Sequence, residues 1–338
     1  MKTIVCVEPG RFEMREQDER APGPGEALVR IRRVGICGTD YHAFRGNQPF
    51  FEYPRILGHE LSGVVEALGE GTAGVAVGDR VAVVPYLECG VCIACRQGKP
   101  NCCTSLRVLG VHTDGGMRER LNVPADHLLA VNDLTLDQAA TLEPLAIGAH
   151  AVRRSGLTAG ETALVIGGGP IGLGVMAFAK AEGANVIAME VSDERLALCA
   201  GWAKADYLVH AKREPAERIA ELTGGDYPTV VFDATGNAQS MADAFRYVAH
   251  GGRLVYVGLV KSDIAFHDPE FHKRELTLMG SRNATKEDFA RVMEAVRGGR
   301  IDAAGYITHR APFADMIGEF ERWLRPESKV VKAIVELQ

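Results

Sequence analysis

The chain has 338 residues, enough for about two domains of ordinary size, and it is 46% hydrophobic and 24% charged, the balance of a water-soluble globular protein. A formal net charge of −6 with no Lys/Arg-rich run argues against nucleic acid as the main partner. No stretch of about 18 apolar residues suggests a membrane span. The N-terminus has no apolar signal-peptide core, and eight cysteines in such a chain point to thiols and metal rather than disulfides, so a cytoplasmic protein is expected.

Residues 1–150 read as mainly β. Ala27–Val34, Leu61–Leu68 and Arg80–Val84 are short, β-branched runs separated by Gly and Pro. Around the first two lie Gly35-Ile36-Cys37-Gly38-Thr39-Asp40 and Leu57-Gly58-His59-Glu60. A thiolate, an imidazole and a carboxylate form a ligand set that Zn²⁺ accepts, and three protein ligands leave the fourth position open for chemistry. Next come Cys89, Cys92, Cys95 and Cys103, spaced C-x₂-C-x₂-C-x₇-C. Four thiolates close a tetrahedron and leave no open position, which predicts a structural zinc. Cys102 is the alternative fourth ligand, with Cys103 preferred; free thiols or a redox pair in Cys92 and Cys95 is the competing reading.

From residue 151 to 285 the pattern changes. Thr162–Ile166, Asn185–Met189, Thr229–Asp233 and Arg253–Gly258 look like strands, and Ile171–Glu182, Asp193–Ala203 and Ala216–Leu222 like helices between them. That alternation predicts a parallel sheet with helices on both faces. Pro144–Val152 reads as a connecting helix. The tail carries a helix near Lys286–Arg297 and a last strand, Val330–Glu336. The first strand of this region runs into Gly167-Gly168-Gly169-Pro170-Ile171-Gly172, a G-x-G-x-x-G between strand and helix. Gly167 permits the turn, Gly169 lets a pyrophosphate approach the helix N-terminus, and Gly172 lets helix and strand pack closely. Glu190 ends the next strand, where a carboxylate receives ribose hydroxyls and favours NAD. Arg195 nearby can stack on adenine or receive the 2′-phosphate of NADP.

The order of these three motifs resembles the zinc-containing medium-chain dehydrogenase/reductase family over essentially the whole chain. The resemblance implies an α/β protein: a GroES-like β-barrel catalytic domain over residues 1–146, to which 288–338 return, and a Rossmann NAD-binding domain over 147–287. The active site would lie in the cleft. Two zinc ions per chain are implied, one catalytic and one structural. Cys37 and His59 match the first two catalytic ligands. Where alcohol dehydrogenases supply a third cysteine, this chain has Leu142-Glu143-Pro144-Leu145, the pattern of the polyol and threonine dehydrogenase branch. Glu143 and Glu60 therefore compete for the third place. The family relay implies that Thr39 and His42 carry the proton out, and that Asp40 orients His59 through its second ring nitrogen. Zinc lowers the pKa of an alcohol, and the hydride passes to the nicotinamide.

The segments Gly46–Phe51, Gly110–Gly116, Asp268–Lys273, Met279–Thr285 and Thr308–Arg310 are similar to those of bacterial sugar-acid dehydrogenases of the L-galactonate and L-gulonate 5-dehydrogenase type. These oxidise a secondary hydroxyl of a hexonate to a 5-keto acid. Arg282 offers a fork for the carboxylate, Asn47 and His112 offer hydrogen bonds to hydroxyls, and Phe50 offers a wall. A neutral polyol or L-threonine dehydrogenase is the runner-up. A zinc-free quinone reductase or NAD(P)-binding regulator is the reading from another class. Subunits are expected to associate through the edge of the Rossmann sheet into a dimer or tetramer, as relatives do.

Overall fold

In this computed structural model, which describes residues 1–48 and 51–338, the chain divides by its internal contacts into two units. Met1–Glu143 and Ala303–Gln338 form the first, and Pro144–Asp302 the second.

The first unit is built on β-structure. Its strands are β1 (Lys2–Glu8), β2 (Arg11–Glu16), β3 (Glu26–Ile36), β4 (Glu60–Leu68), β5 (Arg80–Val83), β6 (Tyr86–Leu87), β7 (Arg107–Val108), β8 (Arg120–Pro124) and β9 (Leu128–Ala130). Between them lie helices α1 (Gly38–Phe44), α2 (Ile93–Arg96) and α3 (Leu136–Ala140). Strand β3 is the spine: it pairs antiparallel with β4 and with β8. Its apolar residues Val29, Ile31 and Val34 are fully buried, together with Ile4, Leu61, Val83 and Met117. Removing such side chains from water stabilises by roughly 1.5–3 kcal/mol each.

The second unit opens on α4 (Leu142–Ser155), which begins at the end of the first. Strands β10 (Thr162–Ile166), β11 (Asn185–Glu190), β12 (Tyr207–His210), β13 (Val230–Asp233), β14 (Arg253–Tyr256) and β15 (Thr277–Gly280) alternate with α5 (Pro170–Ala181), α6 (Asp193–Gly201), α7 (Pro215–Leu222), α8 (Ala238–Asp243) and α9 (Asp268–Lys273). The six strands are parallel, in the order β12-β11-β10-β13-β14-β15. That is the doubly wound order whose reversal lies between β10 and β13. Strand β13 is buried at every position, as a parallel strand covered on both faces must be. Helix α10 (Lys286–Arg297) closes the unit.

The chain then returns to the first unit as β16 (Ile307–Pro312), α11 (Met316–Trp323) and β17 (Lys332–Glu336). Strand β17 pairs antiparallel with β3, placing Ile334 opposite Gly35. Phe320 of α11 meets Phe12 edge-on, with ring centroids 5.0 Å apart.

The second crossing comes later in the chain than residue 288, the return expected from the sequence. Helix α10 stays with the second unit because Asp288 fastens it to α4. Asp288 is fully buried; its Oδ2 lies 2.8 Å from His150 Nδ1, and Oδ1 accepts from Arg153 Nε at 2.7 Å. Burial alone would raise the Asp288 pKa, but the bonds from His150 and Arg153 outweigh it and hold it below the usual range. A depressed folded-state pKa contributes stability above the unfolded value, near pH 4, and loses it as pH falls through the folded value. Asp288→Asn should therefore cost about 2–3 kcal/mol at neutral pH, less than a wholly buried pair because Arg153 is partly exposed. Urea unfolding should show the gap between variant and parent narrowing below about pH 4.

Candidate metal centre and dinucleotide turn

Cys37 directly follows the spine strand and stands at the N-cap of α1. His59 directly precedes β4 and Glu60 begins it, and the register sets Glu60 opposite Gly35, two residues before Cys37. Donor atoms of Cys37, His59 and Glu60 consequently all lie within 4.8 Å of one another.

Asp40 ties the two loops together. Its Oδ2 accepts the Cys37 N–H at 2.8 Å, and its Oδ1 accepts the Gly58 N–H at 3.4 Å. His59 Nδ1 lies 3.9 Å from Asp40 Oδ1, beyond a hydrogen bond. Asp40 thus spends its hydrogen bonds on the backbone beside both prospective ligands and acts on the imidazole by charge.

Glu60 is fully buried, and so in effect is Lys332 of β17. Lys332 Nζ donates to both carboxylate oxygens, at 2.6 and 2.7 Å, and to the Ile36 carbonyl at 3.2 Å. Gly35 makes the space, since a Cβ there would stand 2.0 Å from Glu60 Oε2. Glu143 is buried on the first turn of α4, where its Oε1 accepts from the Tyr86 hydroxyl. Sequence reasoning missed Lys332 and Tyr86. A single lysine inside the apolar run Val330–Glu336 was the available signal for the first.

Two buried polar atoms here have no hydrogen-bond partner, His59 Nδ1 and Glu143 Oε2. Burial, aided by the charge of Glu60 and opposed by His59 and Tyr86, pushes the Glu143 pKa up to about 7. Burial would lower the His59 pKa, but Asp40 and Cys37 lift it well above its ordinary value. A thiol, an imidazole and crowded carboxylates with orphaned atoms suit a divalent cation, whose charge reverses the proton-binding preference of such a cluster. The donor set therefore fits a zinc ion.

Thr39 is half-buried on the first turn of α1, and His42 is exposed on its last. Asn47 is exposed, and Phe50 lies outside the described residues. His112 Nδ1 accepts the Val108 N–H at 3.1 Å and so fastens its own loop. Arg282 is exposed just after β15, in the second unit.

The structure brings Cys89, Cys92, Cys95 and Cys103 together, while Cys102 is exposed outside the group. Cys92 and Cys95 sulfurs are 3.5 Å apart, as are those of Cys89 and Cys103. Tetrahedral zinc with Zn–S bonds of about 2.3 Å needs edges of about 3.8 Å, so little adjustment seats the ion. Backbone N–H groups of Cys95 and Thr104 pull the Cys92 thiol down to about 5. Cys92→Ser should remove about one zinc per chain by elemental analysis, leave the other, and cost several kcal/mol in thermal unfolding.

In the second unit Gly167 has φ +101°, and a Cβ on Gly172 would meet the Gly167 carbonyl oxygen at 1.8 Å. Gly169 caps α5, whose first turn opens Pro170-Ile171. Glu190 braces this turn: its Oε2 accepts the Gly168 N–H at 2.7 Å, and its Oε1 those of Val191 and Ser192 at 2.7 and 3.1 Å. Arg195 Nη1 lies 3.7 Å from where a Cβ on Gly169 would stand.

Removing the cation that faces Glu60 leaves a buried anion alone. Lys332→Met should destabilise by about 3–5 kcal/mol. Adding Glu60→Gln should restore most of that loss, which chemical denaturation of single and double variants will read.

Comparison with known proteins agrees with this geometry. The alcohol dehydrogenase GroES-like domain matches residues 23–133, and the zinc-binding dehydrogenase domain matches residues 170–298. L-galactonate-5-dehydrogenase of Escherichia coli (strain K12) is 43% identical, over 99% of this chain and 98% of its own length. 2-Dehydro-3-deoxy-L-galactonate 5-dehydrogenase of Pseudoalteromonas atlantica is 34% identical, over 96% of this chain and 95% of its own. The crystal structure of an alcohol dehydrogenase of E. coli CFT073 complexed with NADH superposes with a TM-score of 0.93 at 32% identity, covering 100% of this chain and 99% of that one. No helix among the described residues is long and apolar enough to cross a membrane. The chain belongs to the zinc-binding alcohol dehydrogenase family with a GroES-like domain, and it is an oxidoreductase acting on a small molecule.

Proposed function

We propose that this protein oxidises a secondary hydroxyl of a sugar acid, a hexonate such as L-galactonate or L-gulonate, to the 5-keto acid with NAD as hydride acceptor. The observation that carries the substrate class is the full-length likeness to L-galactonate-5-dehydrogenase. In this reading the first unit is the catalytic domain and the second the NAD domain. Cys37 and His59 hold the catalytic zinc, and Glu60 and Glu143 share its third position. Cys89, Cys92, Cys95 and Cys103 hold the structural zinc. When bound, the catalytic zinc supplies Lewis-acid polarisation that makes the substrate hydroxyl more acidic.

The chain's own residues do the rest. The Thr39 hydroxyl takes up the substrate hydroxyl proton as it releases its own into the relay, from which His42 passes a proton to water. Asp40 keeps the Cys37 and His59 loops in register. Arg282 pairs with the substrate carboxylate, and Asn47, Phe50 and His112 contact the polyol chain. Gly167, Gly169, Pro170, Ile171 and Gly172 shape the pyrophosphate turn, Glu190 receives the ribose hydroxyls, and Arg195 flanks the adenine. Subunits associate through the β15 edge, where Leu278 is 40% exposed, as dimer or tetramer, and the enzyme works in the cytoplasm.

A panel of aldonates, polyols and L-threonine with NAD and with NADP, following reduced cofactor, tests the assignment. L-galactonate or L-gulonate should be turned over with NAD. Arg282→Ala should raise KM for the hexonate at least about tenfold, the effect of losing a charge-assisted hydrogen bond, and leave sorbitol unaffected. Turnover of polyols or L-threonine without any aldonate would move the protein to the neighbouring branch. A single zinc per chain that Cys37→Ser does not alter would point to a quinone reductase or a regulator.

A further inference from the structure

Tyr86 belongs to a two-residue strand with an unusual position in the chain. Strand β6 pairs with β7, Tyr86 opposite Val108 and Leu87 opposite Arg107. All four cysteines of the zinc lobe fall between these strands. The ribbon is the neck of the lobe, and its other attachments fix it in place. The Leu109 N–H donates to the Pro85 carbonyl at 3.0 Å. His127 Nε2 lies 3.1 Å from the Tyr86 carbonyl and 3.1 Å from Glu88 Oε2, and its Nδ1 is 2.8 Å from Asp126 Oδ1.

The Tyr86 side chain leaves this neck and reaches the buried carboxylate of Glu143. The residue is 4% exposed, and its hydroxyl donates to Glu143 Oε1. The other oxygen, Oε2, is buried without a partner. A glutamate has three rotatable bonds, and holding one carboxylate oxygen removes most of that freedom. Lys332 does the same for Glu60, but it engages both oxygens. Glu143 is therefore the carboxylate that keeps one oxygen available.

We propose that Tyr86 is a positioning residue for the metal centre: its phenol locks Glu143 Oε1 and so leaves Oε2 as the oxygen available to the ion held by Cys37 and His59. This rests on the reading of Glu143 as a metal-site carboxylate. It gives the four-cysteine lobe a task at a distance, because the lobe's neck carries the phenol.

The test uses the full chain with cobalt(II) loaded at the catalytic site and zinc retained in the lobe. Tyr86→Phe should weaken cobalt binding there about tenfold, the usual effect of losing a partner that orients a ligand, and should shift the visible cobalt absorption. Zinc in the lobe should stay at one per chain. Glu143→Gln should shift the same absorption, and adding Tyr86→Phe to it should change cobalt binding no further. If Tyr86→Phe leaves affinity and spectrum unaltered while Glu143→Gln changes both, the positioning role is wrong. It is equally wrong if Tyr86→Phe weakens binding as much in the Glu143→Gln background as alone, since the phenol then acts on the fold. If Glu143→Gln changes neither readout, the metal reading of Glu143 falls, and the role of Tyr86 falls with it.

Discussion

The buried pair of Lys332 and Glu60 is the constraint around which the first unit is arranged. Each ion loses hydration worth several kcal/mol on burial. Two short bonds between them and a third to the Ile36 carbonyl offset that loss. The geometry then dictates its surroundings. Residue 35 must lack a side chain. β17 must lie against β3, and β3 against β4, so that the three strands converge on one carboxylate. Glu60 is the first residue of the strand that fills the core and is preceded directly by His59, so electrostatic fixation and hydrophobic packing act on adjacent residues.

Around that pair the site combines opposite demands. Carboxylates at positions 40, 60 and 143 crowd a thiol and an imidazole in a place with little water. Each is answered differently. Asp40 is satisfied by two backbone N–H groups, Glu60 by a lysine, and Glu143 on one side only, by a phenol. The unanswered remainder, one oxygen and one ring nitrogen, is what makes the cluster a receptor for a cation.

Much of this was legible in the sequence, for reasons that are local. The cysteine lobe closes within fifteen positions of chain, Cys89 to Cys103, and spacing alone specifies it. The glycine turn is written in residues that only glycine can be, because φ is positive at Gly167 and the Gly167 carbonyl occupies the Cβ position of Gly172. Strands such as β10 and β13 show as apolar runs because both faces are covered. β12 escapes that signal, since Tyr207 and Leu208 are exposed. What the sequence hid is long-range. Lys332 meets a partner 272 positions away, and Asp288 one 138 positions away, and no periodicity encodes either meeting. The packing of α10 on α4 is hidden for that reason, and nothing local marks Tyr86.

The return of β17 to the first unit also sets an order of events at the ribosome. Pro144–Asp302 is one continuous stretch and can complete its parallel sheet from its own residues. Met1–Glu143 emerges first yet holds Glu60 without its counter-ion and β3 without one neighbour until Lys332–Glu336 has been made. The segment synthesised first is therefore finished last, and during that interval an unpaired strand edge lies beside a carboxylate that has no reason to leave water.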